Sequence, residues 1–158
     1  MVFIIIGVSG CGKSTIARKL SATLDLPYYD ADDYHPQANI DKMSSGQPLN
    51  DHDRSSWLRL LSENLQQWEQ QGGAVLACSA LKETYRKILA QHLKQCQWVF
   101  LKGSYELILE RMNKRKGHYM GSEMLKSQFE VLEVPSYGIH IEITKSPEEI
   151  IAKIKSAL

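Results

Sequence analysis

The octapeptide Gly7-Val8-Ser9-Gly10-Cys11-Gly12-Lys13-Ser14 follows directly on Val2–Ile6, an unbroken apolar run ending in three isoleucines. No other feature constrains the fold as strongly. A short apolar run without alternation suits a strand buried on both faces, as in a parallel sheet. The octapeptide satisfies G-x-x-x-x-G-K-[ST] at every position. Its glycines let the backbone curl around phosphate oxygens and present N–H groups where side chains would block approach. The helix expected from Lys13, with Ile16, Leu20 and Leu24 four apart, aims its positive dipole end into the same loop. Gly7, Ser9, Gly10, Cys11, Gly12, Lys13, Ser14 and Thr15 are therefore the expected nucleotide cradle. Lys13 reaches the β- and γ-phosphates of a nucleoside triphosphate, and Ser14 is placed to ligate Mg²⁺ beside them.

Beyond the loop, strand and helix signals alternate to the end. Short strands are expected at 27–30, 74–78, 98–101 and 139–143. Helices are expected at 53–71, 82–94, after Ser104, after Ser122 and after Pro147. The second helix-poor stretch, 30–53, allows one short helix with Ile40 and Met43 on one side. The last strand alternates Ile139, Ile141 and Ile143 with His140 and Glu142, as an edge strand does. Ser146-Pro147-Glu148-Glu149 supplies a cap, a helix-start proline and a capping box. The expectation is a single α/β domain over 1–158, a three-layer P-loop fold around a five-stranded parallel sheet.

Composition narrows the function classes. Nineteen Lys plus Arg face eighteen Asp plus Glu. That balance speaks against a general nucleic-acid or membrane-surface binder. Cys11, Cys78 and Cys96 are too few and too widely spaced for a zinc site or a disulfide framework, and they fit a reducing compartment. With no secretion-like start, a cytoplasmic location is expected. No Asn-Lys-x-Asp base reader of signalling GTPases is present, since Asn113-Lys114-Arg115-Lys116 lacks the acid. The strand at 74–78 runs into Ser79 without the acid of motor and transport ATPases. A small-molecule kinase remains, in which acids elsewhere handle metal and acceptor.

Asp30-Ala31-Asp32-Asp33 follows the second strand, where a doubly wound sheet opens its ligand crevice. In an extended segment Asp30 and Asp32 point to one side. Between them they can hold Mg²⁺ and take the proton of an acceptor hydroxyl. Arg111, Lys114, Arg115, Lys116 and His118 crowd one helix end. They form an expected lid at about 111–125, in which Arg111 and Arg115 meet the nucleotide and Arg115 stabilises the transferring phosphoryl group. Trp57, Trp68 and Trp98 fall at core spacing and are expected to pack.

The combination resembles the gluconokinases. The resemblance lies in Gly7 to Thr15, Asp30-Ala31-Asp32-Asp33-Tyr34-His35-Pro36, Asn39, Lys42-Met43, Asp51-x-Asp53-Arg54 and Trp57-Leu58. It continues in Cys78-Ser79-Ala80-Leu81-Lys82, Tyr85-Arg86, Arg115, Gly117-His118, Ser127-Gln128-Phe129, Leu132-Glu133 and Pro135. It implies an adenylate-kinase-like sheet with a helical lid, and ATP- and Mg²⁺-dependent phosphorylation of D-gluconate to 6-phosphogluconate, usually by a homodimer. Within its motifs, at about 30–58 and beyond, His35, Arg54, Lys82, Arg86 and His118 become candidate substrate groups, because arginine grips a carboxylate with two parallel bonds. By analogy Asp32 takes the acceptor hydroxyl and Asp30 the metal's water shell, with the reverse order also open. Another hydroxy acid such as shikimate, or a binding protein without catalysis, are the alternatives. The sequence departs from the family at Cys11, where Ser or Ala is usual, and at 136–138, where the connection is short. Residues near 144–147 are expected beside adenine.

Overall fold

The computed structural model describes residues 1–114 and 122–158. Five parallel strands form its centre: β1 (Val2–Ile6), β2 (Tyr28–Asp30), β3 (Ala74–Ala77), β4 (Cys96–Lys102) and β5 (Ile139–Glu142). Their spatial order is β2-β3-β1-β4-β5. β1 sits in the middle, with Ile4 level with Leu76 of β3 and with Trp98 of β4. Every residue of β1 is buried, which is why its sequence shows no polar alternation. β5 lies at an edge, and its exposed His140 and Glu142 fit that position.

Helices cover both faces. α1 (Lys13–Leu24), α5 (Tyr105–Lys114), α6 (Ser122–Val131) and α7 (Pro147–Ser156) lie on one side; α3 (Asp51–Gln70) and α4 (Glu83–Ala90) lie on the other. α2 (Gln37–Ser44) lies between β2 and α3 in the chain. The strands' period of two divides the core. Phe3, Ile5, Val75, Val99 and Leu101 pack with Ile16, Leu20, Ile108 and Ile154. Val2, Ile4, Ile6, Leu76 and Phe100 pack with Leu58, Leu61, Leu65 and Leu89. Truncating one of these fully buried aliphatics to alanine costs about 2–5 kcal/mol.

Caps explain where the helices begin. Asn50 and Asp53 form a reciprocal capping box at the start of α3, and Ser146 with Glu149 forms the expected one at α7. Ser104 Oγ accepts from Leu107 N–H at 3.2 Å, as its position before α5 suggested. Ile40 and Met43, expected on one side of a short helix, are both exposed on α2, and Asn39 is its buried residue. The helix expected to 94 stops at Ala90, and Glu69 of α3 accepts the backbone N–H groups of Lys94 and Gln95. The three tryptophans are core residues as expected, and Trp68 stacks on Tyr29 at 3.7 Å.

Candidate active site

Parallel strands deliver all their carboxyl ends to one side, and the turns leaving β1, β2 and β3 meet there. A crevice of about 920 Å³ opens between them. It is lined by Ser9, Lys13 and Ser14 from the loop, by Asp30 and Asp32, and by Arg54 and Lys82 from the opposite wall. One contiguous hollow therefore joins the phosphate cradle to the acid pair and a cationic floor.

The cradle is made by backbone geometry. Gly12 caps α1 with φ 98°, in the region where a side chain is strained. Gly10 has φ 80°, and a Cβ there would lie 2.7 Å from Met112. Gly7 ends β1 and its N–H donates to Ser79 O at 3.4 Å, outside the crevice wall. Lys13 Nζ donates to Val8 O at 3.0 Å, so the ammonium folds back over the loop. Cys11 is buried, and burial pushes its thiol up from the ordinary range. Its side chain faces protein, as expected for a residue that serves the loop through its backbone. Thr15 borders both this crevice and a smaller cavity of about 400 Å³ on the far side of the loop. That second cavity is walled by Arg111, Ile143, Lys145 and Pro147, and Arg111 donates to Ile143 O at 2.7 Å.

Ser14 Oγ and Tyr28 Oη both donate to Asp30 Oδ2, at 3.4 and 3.3 Å. A hydroxyl and a carboxylate at the loop's end fit an octahedral Mg²⁺, which keeps several waters and a phosphate oxygen in its shell. Asp30 and Asp32 share the crevice, but not through an extended segment. Asp30 Oδ1 accepts from Asp32 N–H at 2.9 Å and so caps a 3-10 turn, Ala31–Tyr34, that lifts Asp32 forward. The Asp32 carboxylate is 87% exposed to the crevice. Even so, crowding by the walls and then the charge of Asp30 raise its carboxyl above the ordinary range. A carboxyl tuned upward is better matched to proton transfer near neutrality.

His35 ends the same turn. Its ring stacks on Trp57 at 4.4 Å, and Nε2 lies 3.9 Å from Asp32 Oδ1. Burial lowers its pKa, with Asp32 pulling the other way. Trp57 Nε1 donates to Ala31 O at 2.7 Å, which ties α3 to the turn bearing Asp32. Asn39 donates to Asp53 O at 3.0 Å, and Lys42 donates to Asp53 at 2.6 Å, so α2 is pinned to the start of α3. Asp53's carboxyl is held below the usual range, chiefly by that lysine hydrogen bond.

The floor contains a cluster that motif reading split apart. Asp51 accepts from Tyr85 Oη at 2.6 Å and pairs with Lys82 at 3.4 Å and Arg54 at 3.6 Å. The Tyr85 hydrogen bond, then Lys82, holds Asp51's carboxyl low. Two cations and one carboxylate leave a surplus positive charge facing the hollow, which suits an acidic ligand. Sequence reasoning named Arg54 and Lys82 but gave Asp51 and Tyr85 no role; the 34-residue gap between Asp51 and Tyr85 carries no local signal.

Arg86 corrects an expectation. It is 1% exposed and does not line the crevice. Its guanidinium donates to Ala80 O at 2.9 Å, Leu81 O at 3.1 Å and Glu133 O, and pairs with Glu83 at 3.2 Å. A side chain so fully engaged with neighbouring carbonyls holds the exit of β3 to the segment after α6; it is not a free grip for a substrate carboxylate. Arg115 and His118 lie outside the described residues. Among the described residues, no group of three His, Cys, Asp or Glu is arranged to hold a metal, and no helix is long and apolar enough to cross a membrane.

Comparison with known proteins agrees with this geometry. The shikimate kinase family model matches residues 9–158. The thermosensitive gluconokinase of Escherichia coli K12 is 46% identical over 84% of this chain and 72% of its own length. A probable gluconokinase of Mus musculus is 41% identical over 99% of this chain and 97% of its own. A crystal structure of a gluconokinase from Sinorhizobium meliloti 1021 superposes with a TM-score of 0.87 at 36% identity, covering 96% of this chain and 87% of that one. With cradle, acids and floor in one hollow, and likeness along the full sheet, the chain belongs to the gluconokinases, phosphotransferases within the shikimate-kinase-like P-loop family.

Proposed function

We propose that this enzyme transfers the terminal phosphoryl group of ATP to the terminal hydroxyl of D-gluconate, giving 6-phospho-D-gluconate and ADP. The observation that carries the reading is the single crevice in which Lys13 and Ser14 face Asp32 across the space above Arg54 and Lys82. The loop amides and Lys13 hold the phosphates. The smaller cavity beyond Thr15, beside Lys145 and Pro147, takes the adenosine half.

Arg54 and Lys82 anchor the acid's carboxylate, the first with a planar fork and the second with a point charge, and together they set how deep the polyol lies. His35 closes one side of the acceptor's path. Asp32 orients the attacking hydroxyl and accepts its proton as the new P–O bond forms; the bond to the β–γ bridging oxygen breaks, and ADP leaves with that electron pair. Ser14 and Asp30 are the residues that would hold Mg²⁺ in this reading. When bound, the ion neutralises charge on the phosphate oxygens. Arg115, from its place in the charge pattern, and Arg111 would balance the spread charge of the transferring group. The resemblance implies a homodimer and, with the charge pattern, a lid at about 111–125, while the chain's cysteines favour a cytoplasmic address; sedimentation of the purified chain tests the first of these.

A coupled ADP-release assay across sugar acids and hydroxy acids decides the substrate. Turnover with gluconate well above that with shikimate or other acids is expected. Turnover confined to another acid would replace gluconate, and nucleotide binding without transfer to any acceptor would remove the catalytic reading altogether.

A further inference from the structure

Gln128 has no part in the chemistry above, yet among the described residues it makes the longest-range side-chain hydrogen bonds to the phosphate loop. From α6, 119 residues away in sequence, its Oε1 accepts the Ser9 backbone N–H at 2.7 Å, and its Nε2 donates to Ser9 Oγ at 2.9 Å. Both groups of one carboxamide are thus engaged by one residue. Ser9 and Gln128 line the same crevice as Lys13 and Asp32. A loop N–H that faces a phosphate-sized hollow offers what a phosphoryl oxygen takes. The carboxamide oxygen is a neutral stand-in for that oxygen.

We propose that Gln128 competes with the phosphoryl donor for the phosphate loop: it occupies the Ser9 amide, and the terminal phosphoryl oxygen of a nucleoside triphosphate displaces it. The inference rests on the phosphotransferase reading of the crevice. Displacement runs in the required direction, because a hydrogen bond to a charged oxygen is roughly twice as strong as one to a neutral amide. Ser9 is held from behind as well. Gly10 leaves no room between the loop and Met112 and Ile108 of α5, so the loop cannot slide to escape the exchange. A diphosphate lacks the oxygen that competes for Ser9. The contact therefore separates triphosphate from diphosphate and couples α6 to that difference.

The test is calorimetric titration of the full chain with a non-hydrolysable ATP analogue and with ADP, each with Mg²⁺, for the wild type, Gln128→Met and Gln128→Glu. Methionine keeps the length and the helix but makes neither bond. It is expected to bind the ATP analogue about fivefold more tightly, from the loss of one competing hydrogen bond, with ADP affinity unchanged. Glutamate still accepts from Ser9 N–H, more strongly, and repels the phosphate; its affinity for the analogue is expected to fall about tenfold, and for ADP by less. A general structural role would move both nucleotides together. If the analogue-to-ADP affinity ratio is the same in all three proteins, the inference is overturned, while wild-type binding of both nucleotides leaves the phosphotransferase reading standing. If the wild type binds neither, both fall.

Discussion

The two walls of the crevice are built by different means. The donor wall is backbone: a loop clamped between a fully buried central strand and the first turn of α1, with glycines where the chain curls. The acceptor wall is side chains: Arg54, Lys82, Asp51 and Tyr85 converge from α3 and α4 or their margins, with Tyr85 buried, the two cations half-buried and Asp51 exposed, and they are held by each other. The first wall is fixed before any ligand arrives. The second is an ion-pair network whose members are individually weak and whose net charge is completed by what binds. A fold that must handle one donor and discriminate among many acceptors gains from placing rigidity on one side and exchangeable side chains on the other.

That contrast breaks most readily at Lys13. Lys13→Met should lower kcat by about a thousandfold or more, by analogy with the loss of a charge stabilising a transferring phosphoryl group, measured by ADP release with folding checked by thermal melting. Asp32→Asn follows, with an expected loss of about 10²–10⁴ in kcat for removal of a general base; near-normal turnover would shift that task to another residue. The same variant carries a second sign. Because the folded protein raises the Asp32 carboxyl, the folded state binds that proton more tightly than the unfolded chain. The charged form is therefore a burden above the folded pKa, relieved as pH falls through it. Asp32→Asn should melt at a slightly higher temperature than wild type at neutral pH while losing activity. The acid limb of the wild-type kcat/KM profile should lie above the ordinary carboxylate range, and a limb near pH 4 would contradict the assignment.

On the acceptor wall the expected effects are smaller and of another kind. Arg54→Ala should raise KM for the sugar acid by about 10–100-fold, the loss expected when a charge-assisted hydrogen bond worth about 1.5–3 kcal/mol is removed, with KM for ATP little changed. Equal changes in both would mean the two walls are not separate. Arg86→Met sharpens the boundary. It should lower stability by about 3 kcal/mol through its orphaned carbonyls, a Tm shift on the order of 10 °C for a chain of this size, with KM for the acid unchanged in the protein that remains folded.

The donor wall was legible because its signal is contiguous. Strand, loop and helix start run without a break from Val2 to Ser14, and each residue type answers a local backbone need. The alternation of strands and helices, the edge character of β5 and the caps at Ser104 and Ser146 were legible for the same reason. The acceptor wall was legible only as separate motifs. Asp30 and Asp32 shared a crevice as expected, but a 3-10 turn capped by Asp30 itself replaced the extended geometry. Arg86 was read as a substrate group because an arginine inside a shared motif carries the same letter whether it faces ligand or carbonyls. Its partners at 80, 81 and 133 decide, and no spacing announces them. Placing Ile40 and Met43 on one side of α2 did not announce what the helix buries, a polar Asn39 that serves His35 and Asp53. Gln128 was visible as part of a motif, but its two bonds to Ser9 arise only once α6 folds against the loop.

The bond from the Trp57 indole to Ala31 O has a practical bearing for anyone engineering a new acceptor preference. It makes α3 and the turn bearing Asp32 a single mechanical part, so re-tailoring Arg54's helix will shift Asp32 along with the pocket it shapes. Lys82 and Tyr85 belong to α4 or its margin, but both bond to Asp51 of α3, so substitutions there reach that same part through one carboxylate.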